Sequence, residues 1–211
     1  MENIITSKLA STLKDITNKY PGRILDVFNS FNDNQYRCKN WLVEKLNEYP
    51  FHFKNKSQEQ IDIAILGGWY GLLGELLLNN YKTKPIRQIV SYDIDPIARK
   101  IGSYFSDKVK FQTMDIKDIT FKSKSYSICI NTSCEHMEQK LIDETIDKMT
   151  EKTLVVLQSN DYEELDQHIN CVKDLTTFVK QYENKLEKIQ AFSLYITKED
   201  YNRFMILGVR K

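Results

Sequence analysis

The chain has 211 residues, 30 of them basic and 29 acidic, for a formal net charge of +1. That length is enough for one full α/β core. The even balance, with no basic arm, argues against a high-affinity nucleic-acid binder while leaving room for a small local patch. Apolar runs reach strand length only, well short of the roughly 20 residues of a membrane-spanning helix. Four cysteines without CxxC pairing suit a reducing interior rather than a disulfide scaffold. The opening MENIITSKLASTLKD is amphipathic and charged early, unlike a secretory signal, so the expectation is a soluble cytoplasmic protein without membrane partners.

Residues 1–58 read as a helical cap. Leu9, Leu13 and Ile16 share one face, Pro21-Gly22 ends that pattern, and Cys38, Trp41, Leu42 and Leu46 make a second stripe closed by Pro50. Gln35, Lys39 and Trp41 lie along the same stretch. Lys39 reads as a solvated surface charge, although a lysine near a ligand crevice can meet a carboxylate. From Ile61 the period changes. Strands are expected at Ile61–Leu66, Ile89–Tyr92, Val109–Thr113, Ser127–Asn131, Thr153–Gln158, Lys188–Ile196 and Phe204–Val209. Helices are expected at Leu72–Tyr81, Pro96–Phe105, Glu138–Met149 and Leu175–Lys185. Strands alternating with helices make parallel βαβ units. Thr197 to Asn202 is too short for a crossover helix and predicts an antiparallel hairpin at the end of the sheet. Residues 59–211 thus form one α/β domain, packed with the cap as a single unit.

Gly67, Gly68, Gly71 and Gly74 are four of only seven glycines, all within eight positions between the first strand and its helix. Such a turn lets bare backbone approach a ligand closely. About 20 residues further on, the second strand ends in Asp93 and Asp95, where a doubly wound fold holds a nucleoside ribose. Asp95-Pro96 also reads as a helix start, with Asp95 as the cap.

The order LGGWYG, YDIDP, FQTMDI, CINTSCEHM and a terminal hairpin resembles the class I S-adenosylmethionine-dependent methyltransferases over about residues 60–211. The resemblance implies a Rossmann-like three-layer α/β sandwich, with a mostly parallel seven-stranded sheet ending in an antiparallel hairpin. The family's LGxGxG turn is answered by Leu66-Gly67-Gly68-Trp69-Tyr70-Gly71. Trp69 stands where the middle glycine is usual, and Ile65 where an acid is common. The resemblance implies S-adenosyl-L-methionine as cofactor, cradled by Gly67, Gly68, Trp69 and Gly71. Asp93 would bind the ribose, Ile94 and Met114 would line the adenine pocket, and Asp115 would meet the adenine amino group.

The fourth strand runs into Asn131-Thr132-Ser133-Cys134-Glu135-His136-Met137, at the ligand edge of the sheet. Glu135-His136 resembles the "EH" segment of small-molecule methyltransferases. His136 is the candidate base, Glu135 its acidic neighbour, and Asn131 a group that positions the nucleophile and borders the cofactor. The expected reaction moves a methyl to an O or N acceptor, with a small-molecule substrate favoured and nucleic acid not excluded; the NPPY or DPPY signature of amino-methylating DNA enzymes is missing. Two competing readings remain. One is an aminopropyltransferase-like enzyme, which would need a catalytic aspartate where this chain has Asn131 and Glu135. The other is a non-catalytic nucleoside-binding protein, which the Trp69 departure keeps open. His168, Asn170 and Cys171 form a second cluster after the fifth strand. His136, His168, Cys134 and a carboxylate can surround a metal only if the fold brings them together, because no segment has ligand spacing; no metal is assigned. Arg203 and Lys198 carry no signal, and the oligomeric state is undetermined.

Overall fold

The computed structural model describes residues 2–50, 59–121 and 126–211. Three helices come first: α1 (Glu2–Lys19), α2 (Ile24–Ser30) and α3 (Asp33–Glu48). Asn32 starts α3, its side chain accepting from the Gln35 N–H at 2.9 Å. The boundary expected at residue 58 lies outside the described residues.

The sheet then alternates with helices: β1 (Ile61–Leu66), α4 (Leu72–Asn80), β2 (Ile86–Asp93), α5 (Pro96–Phe105), β3 (Val109–Thr113), β4 (Ile128–Asn131), α6 (Gln139–Lys148), β5 (Leu154–Asn160), α7 (Leu175–Tyr182), β6 (Leu186–Ile196) and β7 (Tyr201–Arg210). All seven expected strands are present, most within two or three residues of the expected ends. The strand order is β3-β2-β1-β4-β5-β7-β6, with β7 antiparallel to both its neighbours. The hairpin therefore closes by inserting its second strand beside β5.

Because strand side chains alternate, the central strands fill both faces. Ala64 and Leu66 of β1 join Val90, Tyr92, Val155 and Leu157 in the core under α6 and α7, where Ile142, Ile146, Phe178 and Tyr182 pack. Ile61, Ile63 and Ile65 point the other way, toward Leu42 and Leu46 of α3 and Leu73 and Leu77 of α4. Trp41 packs against this second core, as its stripe implied. A smaller cluster joins Ile16, Val27, Tyr70, Ala98 and Ile101, so the cap helices lean on α5. Leu9, expected on the buried face of α1, is half exposed, whereas Leu13 and Ile16 further along the helix join the cluster.

Candidate functional site

The chain crosses from one side of the sheet to the other between β1 and β4, which pair in register through Leu66 and Asn131. At such a switch point the loops beyond the strand ends diverge and leave a crevice. A cavity of about 900 Å³ lies there, bounded by the glycine turn, the end of β2 and the loop after β4.

The turn after β1 is built for tight packing. Gly67 (φ 65°) and Gly71 (φ 94°) lie in the left-handed region. A Cβ on Gly67 would sit 3.2 Å from the Met137 side chain. A Cβ on Gly71 would sit 2.5 Å from the Phe111 ring, so that glycine lets α4 and β3 approach. Gly71 also lines the cavity. Gly68 has no room for a side chain either, because Ser91 Oγ fills the space. Trp69 adopts a positive φ of 49°, the backbone region a glycine would take. It stacks on Tyr70, ring centroids 5.3 Å apart, while lining the cavity.

Asp93 faces this turn. Trp69 N–H donates to its Oδ2 at 2.9 Å and Asp95 N–H to its Oδ1 at 3.0 Å. Each oxygen therefore keeps accepting capacity for a further donor. Burial raises the carboxyl's pKa, and the two N–H bonds work against that rise. Asp95 caps α5 through Ile97 N–H at 2.8 Å and pairs with Arg23. Ile94 and Met114 line the cavity, Ile94 with its side chain largely exposed. Asp115 lines it too, but its carboxylate already caps a short turn at Lys117 N–H and pairs with Lys117 Nζ at 2.9 Å, which lowers its pKa.

The loop after β4 divides its residues between structure and cleft. Asn131 is buried and outside the cavity lining; its Oδ1 accepts from Ser133 N–H at 2.9 Å and its amide meets Met137 Sδ. Its polar atoms stabilise the turn, whereas the sequence led to the expectation that they position a nucleophile. Glu135 lines the cavity from a buried position, paired to Arg203. His136 borders the cavity with Nδ1 3.1 Å from the Gln167 carbonyl, and desolvation lowers its pKa. Its ring lies 4.7 Å from that of His168, edge to face. Cys134 is not part of this meeting: it is buried, and burial pushes its thiol well above the ordinary range.

Two cations that the sequence reading left out of the site reach the cleft. Lys39 is no solvated surface charge; it lines the cavity beside Gln35, which accepts its hydrogen bond. Burial first, and Arg203 second, pull its pKa down to about 8. Arg203 is buried and binds both Glu135 and the Thr132 carbonyl. The available signal for Arg203 was topological. An antiparallel strand beside β5 begins where β5 ends, and Arg203 pairs in register with Asn160 at that rim.

No protein-family model matches the sequence, and neither does any curated protein. Solved structures do match. The chain has the fold of the class I S-adenosylmethionine-dependent methyltransferases. It is similar to the N-methyltransferase NodS from Bradyrhizobium japonicum WM9 in complex with S-adenosyl-L-homocysteine, at 12% identity and TM-score 0.62 over 96% of this chain and 98% of that one. It is also similar to the PH0226 protein from Pyrococcus horikoshii OT3, at 14% identity and TM-score 0.64 over 88% and 97%. The CurJ carbon methyltransferase matches at 12% identity and TM-score 0.63, over 92% of this chain and 60% of that one.

Proposed function

We propose that this chain is an S-adenosylmethionine-dependent methyltransferase that moves a methyl group to an oxygen or nitrogen of a small molecule. The observation that carries the reading is the Asp93 carboxylate at the end of β2, held by two backbone N–H groups yet retaining accepting capacity toward the glycine-turn cavity. Vicinal ribose hydroxyls are the donors such a carboxylate suits. Ile94 and Met114 offer apolar surface to an adenine, and Lys39 offers an ammonium to the methionyl carboxylate. The cavity lies at the upper end of the roughly 300–1,000 Å³ range of small-molecule sites, which suits a cofactor together with a small acceptor.

When bound, S-adenosylmethionine supplies an activated sulfonium methyl. The protein's part is then alignment and proton handling. The Gln167 carbonyl holds the Nδ1 proton of His136 and leaves its Nε2 lone pair to take a proton from the acceptor. Glu135 gives one carboxylate oxygen to Arg203, and Asn131 closes its own turn. Methyl transfer is favoured over aminopropyl transfer because this loop carries Asn131 and Glu135 where that reaction calls for a catalytic aspartate.

Calorimetry with S-adenosylmethionine and S-adenosylhomocysteine tests the reading. Wild type should bind in the micromolar range, and Asp93→Ala should lose on the order of 1.5–3 kcal/mol while staying folded. Equal affinity in the variant would remove Asp93 from the ribose. Absence of binding to either compound would leave a protein with the fold alone.

A further inference from the structure

The loop after β4 and the loop after β5 meet through two histidines and a carboxylate. Glu135, His136 and His168 each bring one donor atom, a carboxylate oxygen or a ring nitrogen, within 4.8 Å of those of the other two. Each imidazole is already oriented by the main chain: Nδ1 of His136 lies on the Gln167 carbonyl and Nδ1 of His168 on the Tyr162 carbonyl. A carbonyl only accepts, so it assigns the proton to Nδ1 and leaves both Nε2 lone pairs unshared. Backbone partners of this kind orient imidazoles that bind metals.

Glu135 supplies an independent observation. Its side chain is only 4% exposed, and Arg203 occupies Oε1. Oε2 is buried with no hydrogen-bond partner among the described residues. A buried carboxylate oxygen left without a donor or cation is costly. Arg203 therefore fixes the carboxylate's orientation and leaves half of its requirement unmet.

We propose that Glu135, His136 and His168 form a binding site for a divalent metal ion on the wall of the cleft. Two imidazoles and one carboxylate suit zinc, manganese, iron or cobalt, whereas magnesium and calcium prefer all-oxygen surroundings. Bonds of roughly 2.0–2.2 Å require the donors to draw together slightly, a closure that the exposed residues flanking His168 can follow. Three protein donors leave a coordination position open, and two of them, Glu135 and His136, line the cavity. Arg203 already balances Glu135, so the ion adds uncompensated positive charge and selects an anionic oxygen at that position.

The substrate class follows: a hydroxyl compound able to coordinate as an alkoxide or phenolate. Its proton passes to water, because the ion lowers the hydroxyl's pKa. That this oxygen is the methyl acceptor rests on the methyltransferase reading; the metal site itself does not. In the metal-loaded state Nε2 of His136 is a ligand, and the ion replaces it as the activator of the acceptor.

The test uses the untagged full chain, freed of metal by chelator and titrated with Co²⁺, followed by visible absorption, then displaced with Zn²⁺. One ion per chain with a ligand-field band is expected. His168→Ala should weaken binding by at least the roughly 10–100-fold that losing even an outer partner costs. His136→Ala, at an exposed position, gives the same readout should His168→Ala fail to fold. Both variants should keep their affinity for S-adenosylhomocysteine. Co²⁺ binding to wild type no tighter than to His136→Ala would overturn the site. S-adenosylhomocysteine binding without metal binding overturns the metal site and leaves the methyl-transfer reading standing. Metal binding without S-adenosylhomocysteine binding supports the site and overturns that reading.

Discussion

Lys39 carries its charge where burial and Arg203 both work against it, and its described hydrogen bond goes to the neutral Gln35. Its pKa falls from an ordinary 10.5 to about 8. Between those values the unfolded chain binds more protons than the folded one, so stability rises with pH across that window. The contribution is fully present above 10.5 and is lost as pH falls through about 8. Denaturant unfolding of wild type and Lys39→Met should therefore diverge from pH 8 upward, with wild type gaining relative to the variant. Parallel pH profiles would mean that the ammonium is well solvated. Trp69 shows the opposite compromise: a large side chain accepts a left-handed backbone because its N–H meets Asp93 and its ring stacks on Tyr70.

The turn between β1 and α4 is shaped as much by β3 as by any ligand. Gly71 combines a positive φ with Phe111 at its back, so Gly71→Ala adds a backbone penalty of about 1–2 kcal/mol to overpacking of about 1–3 kcal/mol. Chemical denaturation should show a loss of more than about 2 kcal/mol, partly recovered in Gly71→Ala/Phe111→Leu. A stable single variant would mean that the Phe111 ring moves aside freely. This element also shows what could be read in advance. The glycine spacing, the apolar run of β1 and the acid ending β2 are local signals, so the strand–turn–helix and Asp93 were legible. The partners of Gly71 and Gly74 were not, because Phe111 and Val109 come from a strand far along the chain. Arg203 was hidden for the same reason. Nothing near it in sequence distinguishes it from a surface arginine, and its meaning comes from β7 lying beside β5. The partners of Asn131 were not legible either, because a strand-end amide looks alike whether it faces a cleft or closes its own turn.

At the scale of the molecule, Arg203 ties the hairpin to the loop after β4 through Glu135 and the Thr132 carbonyl. Arg203→Met leaves Glu135 buried and uncompensated, and should cost about 3–5 kcal/mol in equilibrium unfolding. Arg203→Lys should recover only part of this, since an ammonium cannot span both acceptors as a planar fork does. A loss under about 1 kcal/mol would place the pair in the weak, solvent-screened class. The insertion of β7 between β5 and β6 also bears on how the protein is made. Chains emerge from the ribosome in order and fold as they emerge. The hairpin's outer strand is synthesised before the strand that must separate it from the sheet. A nascent chain stalled short of position 203 would therefore expose the flank of β5 and hold an unmatched acid in its cleft, so ligand binding should begin only after this strand is released.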